Sequence, residues 1–387
     1  MFKTIKTGIP IFIVAVNMRA GLILIGPLLP ILQREYGISV FTESILAAAP
    51  LLCFSLTALF MGRIINLADT NRIIAVAVSL LTASLFLRTT FGIVSILLFS
   101  ITLGIAVAVL NFMLPVWVRE NHSGNAGLLT GTYAAIMASF AAVALAITVP
   151  LSELTSLSWR LSMAPWLAVG IVSTIWWWLK IPRSSIKIAP QPVPNFWKSP
   201  LLRNKKAWSL TLFFGILNMI HYASATWLPT ALVSKGMPLV ETGYLVAVST
   251  IVAALLSLFV PHFASRGKDF RAILVTFSIL IGLAYLAIAS DTGPRLWLWV
   301  ILYNLGLYVT FSLSLYLVVF KASNDEDTKT LSIMVQCIGY FMATTSPIIL
   351  GLLFTLTDSW QSALLFPVGL AVIQIFIGLK AGSSEKI

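Results

Sequence analysis

Apolar runs of about 20 residues recur along the whole chain and are separated by short polar stretches. As an α-helix rising about 1.5 Å per residue, a run of that length crosses a hydrocarbon core about 30 Å thick. The pattern predicts twelve membrane-spanning helices, at residues 11–32, 44–62, 73–89, 92–117, 126–150, 161–181, 207–232, 242–264, 271–289, 296–320, 329–355 and 360–380. Strands of a membrane barrel would be about 9–11 residues long with alternating polarity, so we expect an all-α membrane protein.

Composition narrows the class further. The chain of 387 residues is 59% hydrophobic and 10% charged, whereas a soluble domain has about 45–50% apolar and about 25% charged residues. With two cysteines it is also not a disulfide-rich secreted scaffold. The first span is too long for a signal-peptide core and lacks a small-residue cleavage site after it, so we expect it to stay in the mature protein.

The position of the charges explains the net charge of +12. With a cytoplasmic N-terminus, 19 of the 25 lysines and arginines fall on the cytoplasmic side, which the positive-inside rule favours. Five fall on the opposite side: Arg34, Arg88, Arg160, Lys235 and Arg295. We therefore expect both termini in the cytoplasm, a multi-pass protein of the cell (inner) membrane, the lipid bilayer as its surroundings and no nucleic-acid partner. All 13 acidic residues are expected in loops or at span ends.

A polar, proline-rich stretch divides the chain into two halves. It predicts an N-terminal six-helix bundle at residues 1–181, a cytoplasmic linker at 182–206 and a C-terminal six-helix bundle at 207–387. A weak internal repeat agrees with this division, because Asn17 and Asn218 are 201 residues apart, as are Trp159 and Trp360. Two homologous bundles favour a substrate site between them at the middle of the membrane.

Three stretches resemble a known transporter family: Asn17-Met18-Arg19 with Gly26-Pro27-Leu28-Leu29, Leu110-Asn111-Phe112-Met113-Leu114-Pro115 with Gly131-Thr132-Tyr133, and Tyr222 with Trp227-Leu228-Pro229. In them the chain resembles the cyanate and nitroimidazole transporter family of the major facilitator superfamily. The resemblance covers most of the chain. It implies the fold of that superfamily and secondary transport by alternating access.

Arg19 is the one basic residue that lies deep inside a predicted span, away from the span ends. It lies about eight residues into that span, roughly 12 Å along the helix and near the middle of the membrane. A charge there costs about 2.5–3.5 kcal/mol on insertion scales. Without a predicted carboxylate in the spans, an anionic substrate becomes the expected counter-ion, bidentate if it is a carboxylate. The alternative is that Arg19 reaches toward the cytoplasm or caps carbonyls of a broken helix.

His221 lies near the middle of the seventh predicted span, where an imidazole could bind substrate or accept a coupling proton. A neutral histidine that only hydrogen-bonds within the bundle is the alternative. Tyr222 follows it, about 100° around the helix, so we do not expect the two side chains to share one wall fully.

Uncharged polar residues on other spans complete the predicted substrate-binding set. They are Asn17, Asn111, Tyr133, Asn218, Tyr222, Tyr303, Asn304, Tyr308 and Gln336. Each could donate a hydrogen bond to a substrate, and each could instead bond a neighbouring helix. Asn111 is distinguished by Pro115, which cannot donate to the carbonyl of residue 111 and so opens the local backbone.

The sequence therefore predicts a secondary active transporter of a small anion or small polar solute, with Arg19 holding the substrate at the central cavity. The alternative is an exporter of neutral or anionic drug-like compounds such as nitroheterocycles. An enzyme would be expected to show acid and base groups within the membrane, where the sequence offers only His221. We expect no catalytic residues, no cofactor, no metal and a monomer.

Overall fold

The computed structural model describes residues 8–122, 126–154, 158–180, 199–257, 260, 269–323 and 325–387, and the elements in these ranges are helices. The α-helices, numbered α1 to α14 in chain order, are Ile9–Ile23, Ile25–Tyr36, Val40–Ile64, Thr70–Leu87, Gly92–His122, Ala126–Glu153, Ala164–Lys180, Lys205–Ser234, Leu239–Ser257, Arg271–Ser290, Arg295–Lys321, Asp325–Thr357, Trp360–Ala363 and Leu365–Ala381. Short 3-10 helices at Ser158–Met163 and Pro200–Arg203 precede α7 and α8.

Each predicted span coincides with one helix or with a pair of consecutive helices. By length and composition, ten helical segments of the described chain are apolar enough to cross a membrane, and the pair α1 and α2 makes an eleventh. Helix α8, at the seventh predicted span, is 30 residues long and carries Asn218, His221 and Tyr222 near its middle. The all-helical class is confirmed, whereas twelve crossings and cytoplasmic termini stay predictions. Residues 258–259 and 261–264 of the eighth predicted span lie outside the described residues.

The first span, predicted as one run, is broken into two helices. Helices α1 and α2 are bent by 44° at Leu24. Pro27 explains the position of the break, because it has no N–H to donate to the carbonyl of Ile23. Pro30 lies inside α2 and likewise cannot donate to the carbonyl of Gly26. The apolar composition of the segment alone does not predict such a break.

The chain forms two compact units. The first comprises the described residues within Met1–Ile38 and Leu52–Val193, and the second those within Ser39–Leu51 and Pro194–Ile387. Helix α3 therefore begins in the second unit and ends in the first. The domain boundaries given by the sequence stay a prediction.

In the first unit, α1 packs against α6 and α7, and α4 packs against α5 and α7. Its interior is apolar, with Met18 and Leu24 among the fully buried side chains. Asp69 begins α4 by accepting a hydrogen bond from the amide of Arg72 at 3.0 Å, which satisfies one free donor of the first turn.

In the second unit, α8 and α14 pack together, α8 also packs against α12, and α10 against α11 and α14. The backbones of α8 and α12 come close at Gly215 and Gly339: a Cβ built on Gly339 would lie 3.6 Å from the Cα of Gly215. The same Cβ would lie 2.6 Å from the ring of Phe214. Glycine is required at position 339 because any side chain would push α12 away from α8 or displace that ring.

Lys321 was expected in a cytoplasmic loop, and the structure corrects this. It is the last residue of α11 and is fully buried, and its Nζ donates to Ser383 Oγ at 3.1 Å and to the Glu385 carbonyl at 3.3 Å. Lys206 Nζ lies 2.9 Å from a carboxylate oxygen of Glu385, and the hydrogen bond from Lys206 lowers the pKa of that carboxyl. Residues that follow α14 thus cover the ammonium group.

Gly339→Ala should lower the apparent melting temperature of the purified protein in detergent. The added methyl group meets the Phe214 ring in a packed interior, and overpacking of this kind typically costs about 1–3 kcal/mol. Gly369→Ala on α14 is the matched control, because a Cβ at that position has nothing within 4 Å. Equal melting temperatures for the two variants, measured by tryptophan fluorescence, would contradict the close approach of α8 and α12.

Candidate functional site

Arg19 lies on the less buried side of α1. The residues of α1 buried in the first unit include Val14, Asn17, Met18 and Gly21, whereas Arg19 is only half-buried. Phe12, Val16 and Ile23 share its partial exposure and have the spacing of one helical stripe. Because the guanidinium group carries five donors and does not lose its charge, this stripe presents a permanent cation.

Asn17 lies on the opposite side of α1 and bonds another helix. Its side chain is buried, and its Nδ2 donates to the Trp166 carbonyl, 2.8 Å away, at the start of α7. Gly170 makes room for this amide, since a Cβ there would lie 3.1 Å from Asn17 Nδ2 and 2.7 Å from Thr82 Oγ1. The contact is of the interhelical kind that the sequence left open as an alternative to substrate binding.

Asn111 and Tyr133 differ in exposure. Asn111 on α5 is half-buried, and its Nδ2 donates to the carbonyl of Val107, 3.0 Å away in the same helix. Pro115 is exposed, and α5 continues through it without a break. Tyr133 on α6 is 7% exposed. Asn111 is therefore more accessible than Tyr133.

Arg88, which the sequence assigned to the outer side of the membrane, is a buried residue. It follows α4 directly and is fully buried. Its Nη1 donates to the Gly21 carbonyl at 2.7 Å, and its Nη2 donates to Ser100 Oγ at 2.6 Å. Gly21 precedes the break between α1 and α2, so Arg88 stabilises a carbonyl that faces the bend, two residues from Arg19.

Glu43 lies next to the end of the second predicted span. In the structure α3 begins at Val40, and the apolar segment Val40–Met61 includes Glu43 in its first turn. The side chain is 3% exposed. Its Oε1 accepts no hydrogen bond from the part of the chain that the structure describes. A carboxyl group thus lies inside a segment apolar enough to span the membrane.

The second unit contains a connected group of rings, which we call the aromatic cluster: Phe214, His221 and Tyr222 on α8, Phe311 and Tyr308 on α11, and Tyr340 on α12. Ring centroids of His221 and Tyr308 are 6.5 Å apart, and those of Tyr222 and Tyr340 are 6.2 Å apart. His221, Tyr222, Tyr308 and Phe311 are half-buried, so the cluster is not sealed inside the core.

The rings of His221 and Tyr222 contact each other, and the expectation that the two side chains do not share one wall fully stays a prediction. Their ring centroids are 4.8 Å apart in an edge-to-face arrangement. The angle of about 100° between neighbouring Cβ directions does not prevent contact, because both side chains are long enough to lean toward each other. Edge-to-face geometry directs the positive edge of one ring to the negative face of the other.

The remaining predicted residues fall in two environments. Asn218, Tyr303 and Asn304 are buried in the second unit. Asn218 Nδ2 donates to the Phe214 carbonyl at 2.7 Å, and Asn304 Nδ2 donates to Ser249 Oγ at 2.9 Å. Tyr303 packs edge-on against Tyr285 at 4.8 Å. By contrast Gln336 is half-buried and lies one turn before Tyr340 on α12.

Sequence reasoning did not select Tyr340, Phe311, Phe214, Arg88 or Glu43. The aromatic residues belong to apolar runs, where a ring that lines a site has the same signature as a ring in a core. Arg88 and Glu43 stand next to the ends of their predicted spans. Within the described ranges, no three or more histidine, cysteine, aspartate or glutamate residues are grouped as a metal site.

The chain is similar to known transporters. Residues 11–347 match the family described as Major Facilitator Superfamily. The chain is 25% identical over 388 residues to the 2-nitroimidazole transporter of Escherichia coli (strain K12), covering 97% of this chain and 95% of that protein. It is 25% identical over 371 residues to the cyanate transport protein CynX of the same organism, covering 94% of each chain.

A solved structure has the same fold. A bacterial homologue of the human lysosomal transporter Spinster, in an inward-facing and unoccupied conformation, aligns with a TM-score of 0.82 over 97% of this chain and 96% of that chain. The sequence identity is 13%, so this likeness concerns the fold alone.

Arg88→Ala should lower the apparent melting temperature of the purified protein by several degrees. It removes a buried charge-assisted hydrogen bond from each of two acceptors, worth about 1.5–3 kcal/mol each. Arg88→Lys should be intermediate, because an ammonium group cannot reproduce the fork of the guanidinium group. Arg34→Ala, at an exposed position, serves as the control. An Arg88→Ala variant as stable as Arg34→Ala would show that the bonds to Gly21 and Ser100 do not hold the bend.

Proposed function

Because the chain belongs to the Major Facilitator Superfamily, a family of transporters and not of enzymes, we propose that it moves a small anion or small polar solute across the cytoplasmic membrane by alternating access, with Arg19 binding the substrate. The proposal includes twelve membrane crossings, cytoplasmic termini and a monomer. The observation that carries it is the position of Arg19: a permanent cation within the apolar helix α1, on the stripe that the first unit does not bury.

The comparison of Arg19 with Arg88 supports this role. Both arginines belong to the first unit, but Arg88 is fully buried. Arg19 is half-buried. A guanidinium group in hydrocarbon is costly, so intramembrane arginines are functional by default. An anion that accepts two hydrogen bonds from Arg19 would offset that cost. A relative named for cyanate transport is consistent with a small anion.

The aromatic cluster favours a second candidate function, the export of neutral or anionic nitroheterocycles. A flat heterocycle can rest against ring edges and faces such as those of Tyr222 and Tyr308, with each contact contributing about 0.5–1.5 kcal/mol beyond burial. His221 adds a hydrogen-bonding group within the same cluster. A relative of nearly equal length is named for 2-nitroimidazole transport. The two candidates therefore differ in which unit supplies most of the binding free energy.

Arg19→Ala and Arg19→Lys should both abolish uptake of radiolabelled cyanate while membrane expression stays unchanged. Alanine removes the charge, and lysine keeps the charge but loses the bidentate geometry. Charge-assisted hydrogen bonds from Arg19 to the anion would contribute about 1.5–3 kcal/mol to binding. Their loss corresponds to a fall in affinity for cyanate of at least about tenfold. Arg34→Ala, an arginine at an exposed position, should transport normally. Wild-type uptake by Arg19→Ala would refute substrate binding by this residue.

Tyr222→Leu should weaken binding of 2-nitroimidazole to the purified protein, whereas Tyr222→Phe should retain most of it, because the ring and not the hydroxyl supplies the contact. The matched control is Tyr244→Leu, which removes an exposed tyrosine on α9. Calorimetry with 2-nitroimidazole and cyanate in parallel measures the effect. If Tyr222→Leu weakens cyanate binding as much as 2-nitroimidazole binding, the aromatic cluster does not select flat heterocycles.

A further inference from the structure

Glu43 is a buried carboxyl group that the proposed substrate contacts do not use. It lies in the first turn of α3, and its side chain is 3% exposed. No donor among the described residues reaches its Oε1. The ion pairs found in those ranges join Arg72 to Asp69, Arg160 to Glu35, Lys206 to Glu385 and Arg271 to Asp269, and none includes Glu43.

The start of α3 is tightly packed within the second unit. A Cβ added to Gly351 of α12 would overlap the hydroxyl of Ser44, would lie 3.0 Å from the Trp227 ring of α8 and 3.2 Å from Val40. The Trp227 indole donates to the Pro347 carbonyl at 2.8 Å, which ties α8 to α12 at the same level. Val40, Glu43 and Ser44 share one side of the first turns of α3 by helical spacing.

Along the chain, the described ionisable residues nearest to the contacting positions Trp227 and Gly351 stand more than one helical turn away. On α8, the ionisable groups nearest to Trp227 along the chain are Tyr222 and Lys235, each more than one helical turn away. Lys235 Nζ is engaged with the carbonyls of Ala289 and Asp291, at 2.9 and 3.0 Å. On the chain of α12, Tyr340 and Asp358 are likewise more than one turn from Gly351.

A carboxylate in such a place would be unstable. Removing an ionised group from water costs several kcal/mol unless a cation or several donors replace the water. A protonated carboxyl group is neutral and needs far less compensation. The positive end of the α3 dipole favours a negative charge in the first turn, but that effect is worth only about 0.3–1 kcal/mol in ordinary cases.

We propose that Glu43 is a proton-binding site of the transporter. Its carboxyl group holds a proton while the first turns of α3 pack against α8 and α12. When that packing opens, the O–H bond breaks, the proton passes to water and the negative charge stays on the carboxylate. The proposal rests on the proposed transport function for its purpose, and α3 begins in one unit and ends in the other.

In this arrangement, proton binding to Glu43 and packing of the first turns of α3 are thermodynamically linked. A carboxylate in water must regain a proton before the first turns of α3 can pack again, so proton binding and helix packing favour each other by the same free energy. The site would take up a proton from the compartment that reaches it in the open arrangement. Transport would then be coupled to a proton carried by Glu43, although no carboxyl group lies near the proposed substrate-binding residue Arg19 in the sequence.

Infrared spectroscopy of the purified transporter tests the site without any substrate. At neutral pH, wild type should show the C=O band of a protonated carboxyl group that is absent from Glu43→Gln. Glu241→Gln is the matched control, because Glu241 also lies in the first turn of its helix, α9, but is half-exposed and accepts a bond from the Trp297 indole at 3.0 Å. Identical carboxyl regions in wild type and Glu43→Gln would overturn the proposal.

Proteoliposomes loaded with a pH-sensitive dye test the linkage, with cyanate as the probe. Wild type and Glu241→Gln should acidify or alkalinise the lumen as cyanate moves, whereas Glu43→Gln should exchange cyanate without moving protons. Proton movement by Glu43→Gln equal to wild type would overturn the coupling role. If wild type does not move cyanate, cyanate is not a substrate and the proposed function is contradicted for this anion. The infrared result still decides whether Glu43 holds a proton. If Glu43→Gln does not fold, the same question can be tested on wild type alone. The C=O band of the protonated carboxyl group should then disappear as the pH is raised.

Discussion

Hydrocarbon offers no hydrogen bonds and no solvation of charge, and this constraint organises the whole molecule. Hydroxyl groups along the helices turn back to carbonyls of their own helix, as Thr148 and Thr211 do at 2.5 and 2.8 Å. Arg88 finds a carbonyl and a hydroxyl on neighbouring helices. Arg19 and His221 are half-buried rather than sealed in the interior, and they are the groups for which we propose contact with a solute.

In the function we propose, the two units would offer different chemistry to a substrate. The first contributes a cation whose donors match the oxygens of a small anion. The second contributes flat surfaces with polar edges on Tyr222, Tyr308 and His221, which suit a planar heterocycle. Relatives named for cyanate and for 2-nitroimidazole are consistent with a shared scaffold whose selectivity depends on the balance of these contacts.

The fold was largely predictable, because the length of an apolar run follows directly from membrane thickness. Each predicted span coincides with a helix or a helix pair of the structure. The prolines at positions 27 and 30 favour a bend in the first span, but the position of the break at Leu24 was not predicted, since proline bends a membrane helix only where other groups replace the lost bond. Arg88, Lys321 and Glu43 were assigned to polar boundaries because hydropathy reports neighbours in sequence and not packing in space. For the same reason the aromatic cluster could not be recognised from the sequence, because its rings come from three helices that are distant along the chain.

The close approach of α8 and α12 at Gly215 and Gly339 also limits how the aromatic cluster can change. Gly215 and Gly339 let the two backbones approach closely, with the side chains of Phe214 and Met342 packed beside them, so we expect the two helices to move together. Phe214 and Tyr340 stand beside these glycines, with centroids 6.0 Å apart. A ring bound against them would therefore meet a surface of nearly constant shape, and selectivity for ring size would persist through the transport cycle while access to the surface changes.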